Sequence, residues 1–141
     1  MALGSFADAR TDFDRALELN LASAQGYLNR GILHVGHLAN YDAGIADLRR
    51  VLALEPTNTD AALNLGMALY KKREYQAAVD QYSSLLNILP DNARLYYLRA
   101  LAYGEMRDFT NALKDGTRAK GLGLAIDDAL LAKSQARPDY K

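Results

Sequence analysis

Residues 59–92 read TDAALNLGMALYKKREYQAAVDQYSSLLNILPDN, and this stretch decides the fold. Ala62, Leu65, Gly66 and Leu69 recur at i, i+3, i+4 and i+7, which places them on one face of a helix. Gly66 removes a side chain from that face, so a second helix can approach closely. Tyr75, Ala78, Tyr82 and Leu85 then fall on one face of a following helix, with the small Ala78 at the expected crossing point. Pro90 ends the second helix, because the residue before a proline avoids α geometry. Asp91 or Asn92 is placed to cap the helix that comes next.

The same unit recurs on either side, so each helix pair has a neighbour to stack on. Leu65-Gly66, Tyr75, Ala78, Tyr82 and Pro90 are the positions through which the stretch resembles the tetratricopeptide repeat (TPR). It departs from that pattern at Ala62, where a large residue is usual, at Leu69, where Tyr is common, and at Leu85, where Ala is expected. The resemblance covers nearly the whole chain. It implies an all-α fold: a right-handed α-solenoid of antiparallel helix pairs, with about three and a half repeats and a C-terminal capping helix.

Taken in order, residues 1–23 are expected to be a partial repeat. Phe6, Ala9, Phe13 and Ala16 reproduce the second-helix spacing, and the matching first helix is missing. The chain is therefore expected to be a piece of a longer array, with one face of this helix open. Residues 24–58 form a first full repeat, in which Tyr27, Arg30-Gly31 and His34 face the second helix and Tyr41, Gly44, Leu48 and Leu52 answer them. This repeat is one residue longer than the next, and the extra residue is expected in the turn near Leu38-Ala39-Asn40. Gly44 stands where Ala is usual and is expected to weaken its helix slightly. Residues 59–92 and 93–126 are the second and third full repeats. Tyr96, Ala100 and Tyr103 face inward in the third, followed by Phe109, Ala112, Gly116 and Ala119. Gly121-Leu122-Gly123 closes it through a left-handed glycine cap in place of a proline. Residues 127–141 are expected to give a capping helix and a polar tail, within a single domain of residues 1–141.

Composition narrows the function. The chain holds 17 basic and 17 acidic residues, a balance that argues against nucleic acid as a partner, since that needs a concentrated basic face. There is no cysteine, which removes disulfides, thiolate nucleophiles and cysteine zinc sites together. No apolar run approaches the roughly 20 residues of a membrane span. MALGSFADAR lacks the basic head and apolar core of a signal peptide, and a cytoplasmic location is expected.

In proteins with this repeat the first helices line a concave groove. The resemblance therefore assigns Leu28, Asn29, Ile32 and Val35 to that groove from the first full repeat. Leu63, Asn64, Met67 and Tyr70 follow from the second, and Arg94, Tyr97, Leu98 and Leu101 from the third. So apolar a lining implies a site for an apolar or amphipathic segment of a partner protein. Asn29 and Asn64 hold equivalent places, where related proteins use asparagine to bond the backbone of an extended peptide; an amide both donates and accepts. Leu98 breaks that ladder. Some relatives clamp a terminal carboxylate, but Leu28, Ile32 and Leu98 stand where the clamp needs polar groups, and only Asn64 and Arg94 fit it.

A second pattern is structural. Arg30 is matched by Asp47, and Arg99 by Asp115, while the intervening repeat has Leu65 and Gln81 at those places. Both charges vanish together, which predicts Arg–Asp bridges between the two helices of a hairpin. His34 and His37 have no carboxylate or cysteine partners that would complete a metal site, and His34 is expected in the core. No phosphate loop or nucleophile elbow occurs, so no catalytic residue, cofactor or metal is assigned and no enzyme activity is expected.

The expected function is a scaffold or adaptor that holds a peptide or helical segment of a partner. Two alternatives come with it. The open face of Phe6, Ala9, Phe13 and Leu17 would make the chain a homo-oligomer, or the chain would be the recognition domain of a larger enzyme.

Overall fold

The computed structural model describes residues 9–11 and 23–126. Of the expected oligomer face of Phe6, Ala9, Phe13 and Leu17, all but Ala9 lie outside these residues, as does the capping helix after residue 126. Among the described residues the secondary structure is helical throughout, with no strand. Six helices have defined bounds: α1 (Ala24–Gly36), α2 (Tyr41–Leu54), α3 (Thr59–Lys71), α4 (Tyr75–Ile88), α5 (Ala93–Glu105) and α6 (Phe109–Gly121). They fall into two compact units, the first ending at Lys72 and the second beginning at Arg73.

In the first unit, α1, α2 and α3 pack on one another. Each starts on a polar side chain that satisfies an orphan backbone donor. Ser23 Oγ accepts the Gly26 N–H at 3.1 Å, Asn40 Oδ1 accepts that of Ala43 at 3.3 Å, and Asn58 Oδ1 accepts that of Ala61 at 3.0 Å. The α1–α2 turn carries the extra residue as expected, and Ala39 takes a positive φ of 50° within it. Glu55, the residue before Pro56, leaves α geometry at φ −133° and ψ 84° and ends α2.

Contacts between α1 and α2 run in opposite directions along the two helices, as an antiparallel hairpin requires. Gly31 abuts Asp47 and Leu48, and Val35 abuts Gly44. A Cβ placed on Gly44 would lie 2.5 Å from Val35 Cγ2 and 3.1 Å from the Gly31 carbonyl oxygen. Gly44 is therefore a contact point between the helices, and its cost in helix propensity is offset by the close approach it permits. Leu48, Val51, Ala61 and Ala68 are fully buried and form the centre of this unit.

The second unit packs α5 between α4 and α6. Asn92 Oδ1 accepts the Leu95 N–H at 3.1 Å and Asp108 Oδ1 that of Asn111 at 3.2 Å, capping α5 and α6. Leu89, before Pro90, leaves α geometry and terminates α4. The α5–α6 turn again has one left-handed residue, Arg107 at φ 63°. Gly123 at φ 101° closes α6, and the Leu124 N–H reaches back to the Ala119 carbonyl at 3.1 Å. Tyr82, Leu85, Ala102 and Ala119 are buried at the centre.

Candidate functional site

The groove residues assigned from the sequence divide into two groups on the first helices. In the first unit Asn29 is exposed and Ile32 is 37% exposed, while Leu63, Asn64, Met67 and Tyr70 are half-buried. In the second unit Arg94 is exposed, and Tyr97, Leu98 and Leu101 are half-buried. Beside these side chains, Leu65 and Leu69 on α3 and Leu95 and Ala100 on α5 are buried.

Leu28 and Val35 depart from their assignment. They are only 7% and 4% exposed and belong to the core. Val35 is drawn there by the missing side chain of Gly44, against which its Cγ2 packs. Leu28 lies three residues before Gly31 and seven before Val35, so all three share the buried stripe of α1.

Both asparagines are already engaged within their own helices. Asn64 Nδ2 donates to the Asp60 carbonyl at 2.8 Å, and Asn29 Oδ1 accepts from Gln25 Nε2 at 2.8 Å. Each amide keeps one functional end outside that bond, the Oδ1 acceptor of Asn64 and the Nδ2 donor of Asn29.

The two expected Arg–Asp bridges are formed. Arg30 donates from Nε and Nη2 to Asp47 at 2.8 and 2.7 Å. Arg99 does the same to Asp115 at 2.6 and 2.8 Å, and its Nη1 also reaches Ser83 Oγ at 3.0 Å. Arg99 thereby ties α5 to both its neighbours. The Asp115 hydrogen bond holds the Arg99 pKa above its ordinary value against the opposing effect of burial. Burial raises the pKa of the nearby Tyr103 phenol, although the Arg99 charge pulls it the other way.

Each bridge sits in a larger cluster that sequence reasoning missed. Arg30 and Arg50 lie 5.8 and 5.9 Å from the Tyr27 ring centre, and Arg99 and Arg118 lie 5.6 and 5.9 Å from that of Tyr96. These are cation–π distances. The signal was present, since Tyr27, Arg30, Asp47 and Arg50 recur as Tyr96, Arg99, Asp115 and Arg118 once the extra turn residue is allowed for. The intervening repeat replaces all four, with Ala62, Leu65, Gln81 and Ser84.

His34 is buried, with Nε2 3.9 Å from Asp47 Oδ2, while His37 is exposed. Among the described residues no group of three or more His, Cys, Asp or Glu could hold a metal ion. No described helix is long and apolar enough to cross a membrane. Lys71, Lys72 and Arg73 are exposed, and Lys72 Nζ pairs with Asp42 at 2.7 Å. In the second unit Tyr96, Arg99, Lys114, Asp115, Thr117 and Arg118 line an open cleft of about 500 Å³.

Three models of the tetratricopeptide repeat match residues 1–37, 38–102 and 93–119. The human protein SGT1 homolog is 34% identical over 88 residues, which cover 56% of this chain and 24% of that protein. The chain spans about a quarter of the length of this protein and of the Drosophila melanogaster BBSome complex member BBS4 homolog, which is 26% identical over 128 residues. Among solved structures, MamA from Desulfovibrio magneticus RS-1 superposes with a TM-score of 0.86 at 22% identity, over 96% of this chain and 77% of that one. YrrB, described as a TPR protein with an unusual peptide-binding site, superposes with a TM-score of 0.81 at 20% identity, over 94% of this chain and 67% of its own. At these identities the superpositions speak for the fold, and the fold agrees with the sequence models. The chain belongs to the tetratricopeptide repeat family.

Proposed function

We propose that this chain is a protein-interaction scaffold that holds a peptide or helical segment of a partner protein on the faces of its first helices. The observation that carries this reading is the partly exposed apolar set on α3 and α5: Leu63, Met67 and Tyr70 in one unit, Tyr97, Leu98 and Leu101 in the other. The fully buried positions of these helices are others, Leu65 and Leu69 on α3 and Leu95, Ala100 and Ala102 on α5, so the set stands partly outside the core. Apolar side chains held in that state favour an apolar or amphipathic occupant. Ile32 and Asn29 extend the surface in the first unit, and Arg94 gives the second a cation at its start. Asn29 and Asn64 would orient the occupant's backbone through the amide ends left outside their intrahelical bonds. YrrB, the structural neighbour described as having an unusual peptide-binding site, supports a peptide as the kind of ligand.

The test is a selection of displayed random peptides on the intact chain, followed by titration of the selected peptides. Met67→Glu should weaken peptides held by the first unit, and Leu101→Glu those held by the second, tenfold or more, about 1.4 kcal/mol. Leu54→Glu, on the exposed side of a second helix, should leave it unchanged. Selected peptides that ignore both first-helix variants would refute the reading.

A further inference from the structure

We propose that the cleft between α5 and α6 is a second binding site, for an acidic segment of a protein, and that Asp91 is its built-in competitor. The site lies within the second unit and shares no residue with the first-helix surface. Its floor is the Arg99–Asp115 pair, in which the buried carboxylate takes both hydrogen bonds from Arg99. Above that floor the cleft presents Lys114, Thr117 and Arg118. Lys114 and Arg118 are four residues apart on α6, so their cationic heads rise on one side of the helix. With Asp115 balanced by Arg99, the lining keeps two cations, one hydroxyl and the ring of Tyr96.

Arg118 is the exchangeable member. Its side chain is 51% exposed, and it meets Asp91 at 3.3 Å, a carboxylate that is itself 79% exposed. A pair so wet contributes little to stability and gives way to a better-placed anion. The Tyr96 ring, 5.9 Å from the guanidinium carbon, steadies Arg118 for that exchange. Tyr96 is held in turn by its hydroxyl, which donates to the Pro90 carbonyl at 3.1 Å.

The cleft is open and measures about 500 Å³, room enough for the carboxylate side chains of a peptide. The Lys114 charge is also particular to this repeat. The position of Lys114 is Asp80 in the preceding repeat and Ala46 in the one before, so the scaffold itself does not demand a cation there.

The probe is a fluorescein-labelled hexaglutamate peptide, titrated by anisotropy against the intact chain at low salt. Binding is expected, weakened about fivefold by Arg118→Gln or Lys114→Gln. Asp91→Asn should instead tighten it by about twofold to threefold, since it removes the competitor. Lys71→Gln and Arg49→Gln, cations outside both sites, should leave it unchanged, as should Met67→Glu. That last result separates this site from the first-helix surface. Absence of binding would overturn the proposal. Equal weakening by Lys71→Gln would show general charge attraction and overturn it too. So would displacement of the peptide by an equal concentration of inorganic phosphate, which would mark a simple anion site.

Discussion

Asp115 is 3% exposed and receives two hydrogen bonds from Arg99, at 2.6 Å from Nε and 2.8 Å from Nη2. Removing the guanidinium would leave that carboxylate buried without its counter-charge. Arg99→Leu should therefore destabilise the chain by about 2–4 kcal/mol, the partial exposure of the arginine keeping the cost below that of a fully buried pair. The intervening repeat shows the alternative solution, with Leu65 and Gln81 at the same two places. Adding Asp115→Gln to Arg99→Leu should recover most of the loss, because the double variant buries no orphan charge. Urea unfolding followed by circular dichroism measures both. A double variant no more stable than the single one would show that the pair is not what the site depends on.

Gly44 supports an expectation that runs against helix propensity. Alanine is the better helix former by about 1 kcal/mol, and alanine occupies the equivalent positions 78 and 112. At position 44, however, the new methyl would stand 2.5 Å from Val35 Cγ2 and 3.1 Å from the Gly31 carbonyl. Overpacking of this kind costs about 1–3 kcal/mol and outweighs the gain. Gly44→Ala should lower the urea midpoint. Gly44→Ala combined with Val35→Ala should be more stable than the sum of the two single effects, since each relieves the other's defect. Stabilisation by Gly44→Ala alone would mean that the helices have room to part.

The hairpins were legible in the sequence because their signals are local and repeated. Leu65-Gly66, Tyr75, Ala78 and Pro90 mark two helical faces, a crossing point and a stop within a few residues of each other. The Arg30–Asp47 and Arg99–Asp115 bridges were legible for a different reason: both partners disappear together in the intervening repeat. Tyr27, Arg50, Tyr96 and Arg118 recur just as faithfully, but an aromatic ring beside a cation has no periodicity of its own to draw the eye. Leu28 and Val35 were misplaced because α1 buries a broad stripe, and its edges depend on where α2 crosses. That crossing is fixed by Gly44, which read from composition looks only like a weak point in a helix.

The caps make a local prediction. Asn58 and Asn92 accept the backbone N–H groups of Ala61 and Leu95 at 3.0 and 3.1 Å. Asn58→Ala and Asn92→Ala should each cost about 1 kcal/mol, while Asp at either place should retain most of the capping. Hydrogen exchange at Ala61 and Leu95 checks this directly. Protection there should fall in the alanine variants, ahead of any change in the middle of α3 or α5. Unchanged protection would place the stability of these helix starts elsewhere.

Arg107 and Arg49 are both exposed arginines, and the same substitution should act on them with opposite sign. Arg107 sits in the α5–α6 turn at φ 63°, a left-handed geometry in which a Cβ crowds the following carbonyl. The turn is held there by two backbone bonds, Arg107 N–H to the Gly104 carbonyl at 3.0 Å and Asp108 N–H to that of Tyr103 at 2.9 Å. Glycine adopts this φ without penalty, and the gain exceeds the entropy it adds to the unfolded chain. Arg107→Gly should therefore stabilise by about 0.5–1 kcal/mol. Arg49 lies in the interior of α2, where glycine costs about 1 kcal/mol, so Arg49→Gly should destabilise. Paired urea titrations of the two variants decide the matter. Destabilisation at both positions would mean that the turn does not hold Arg107 in the left-handed region.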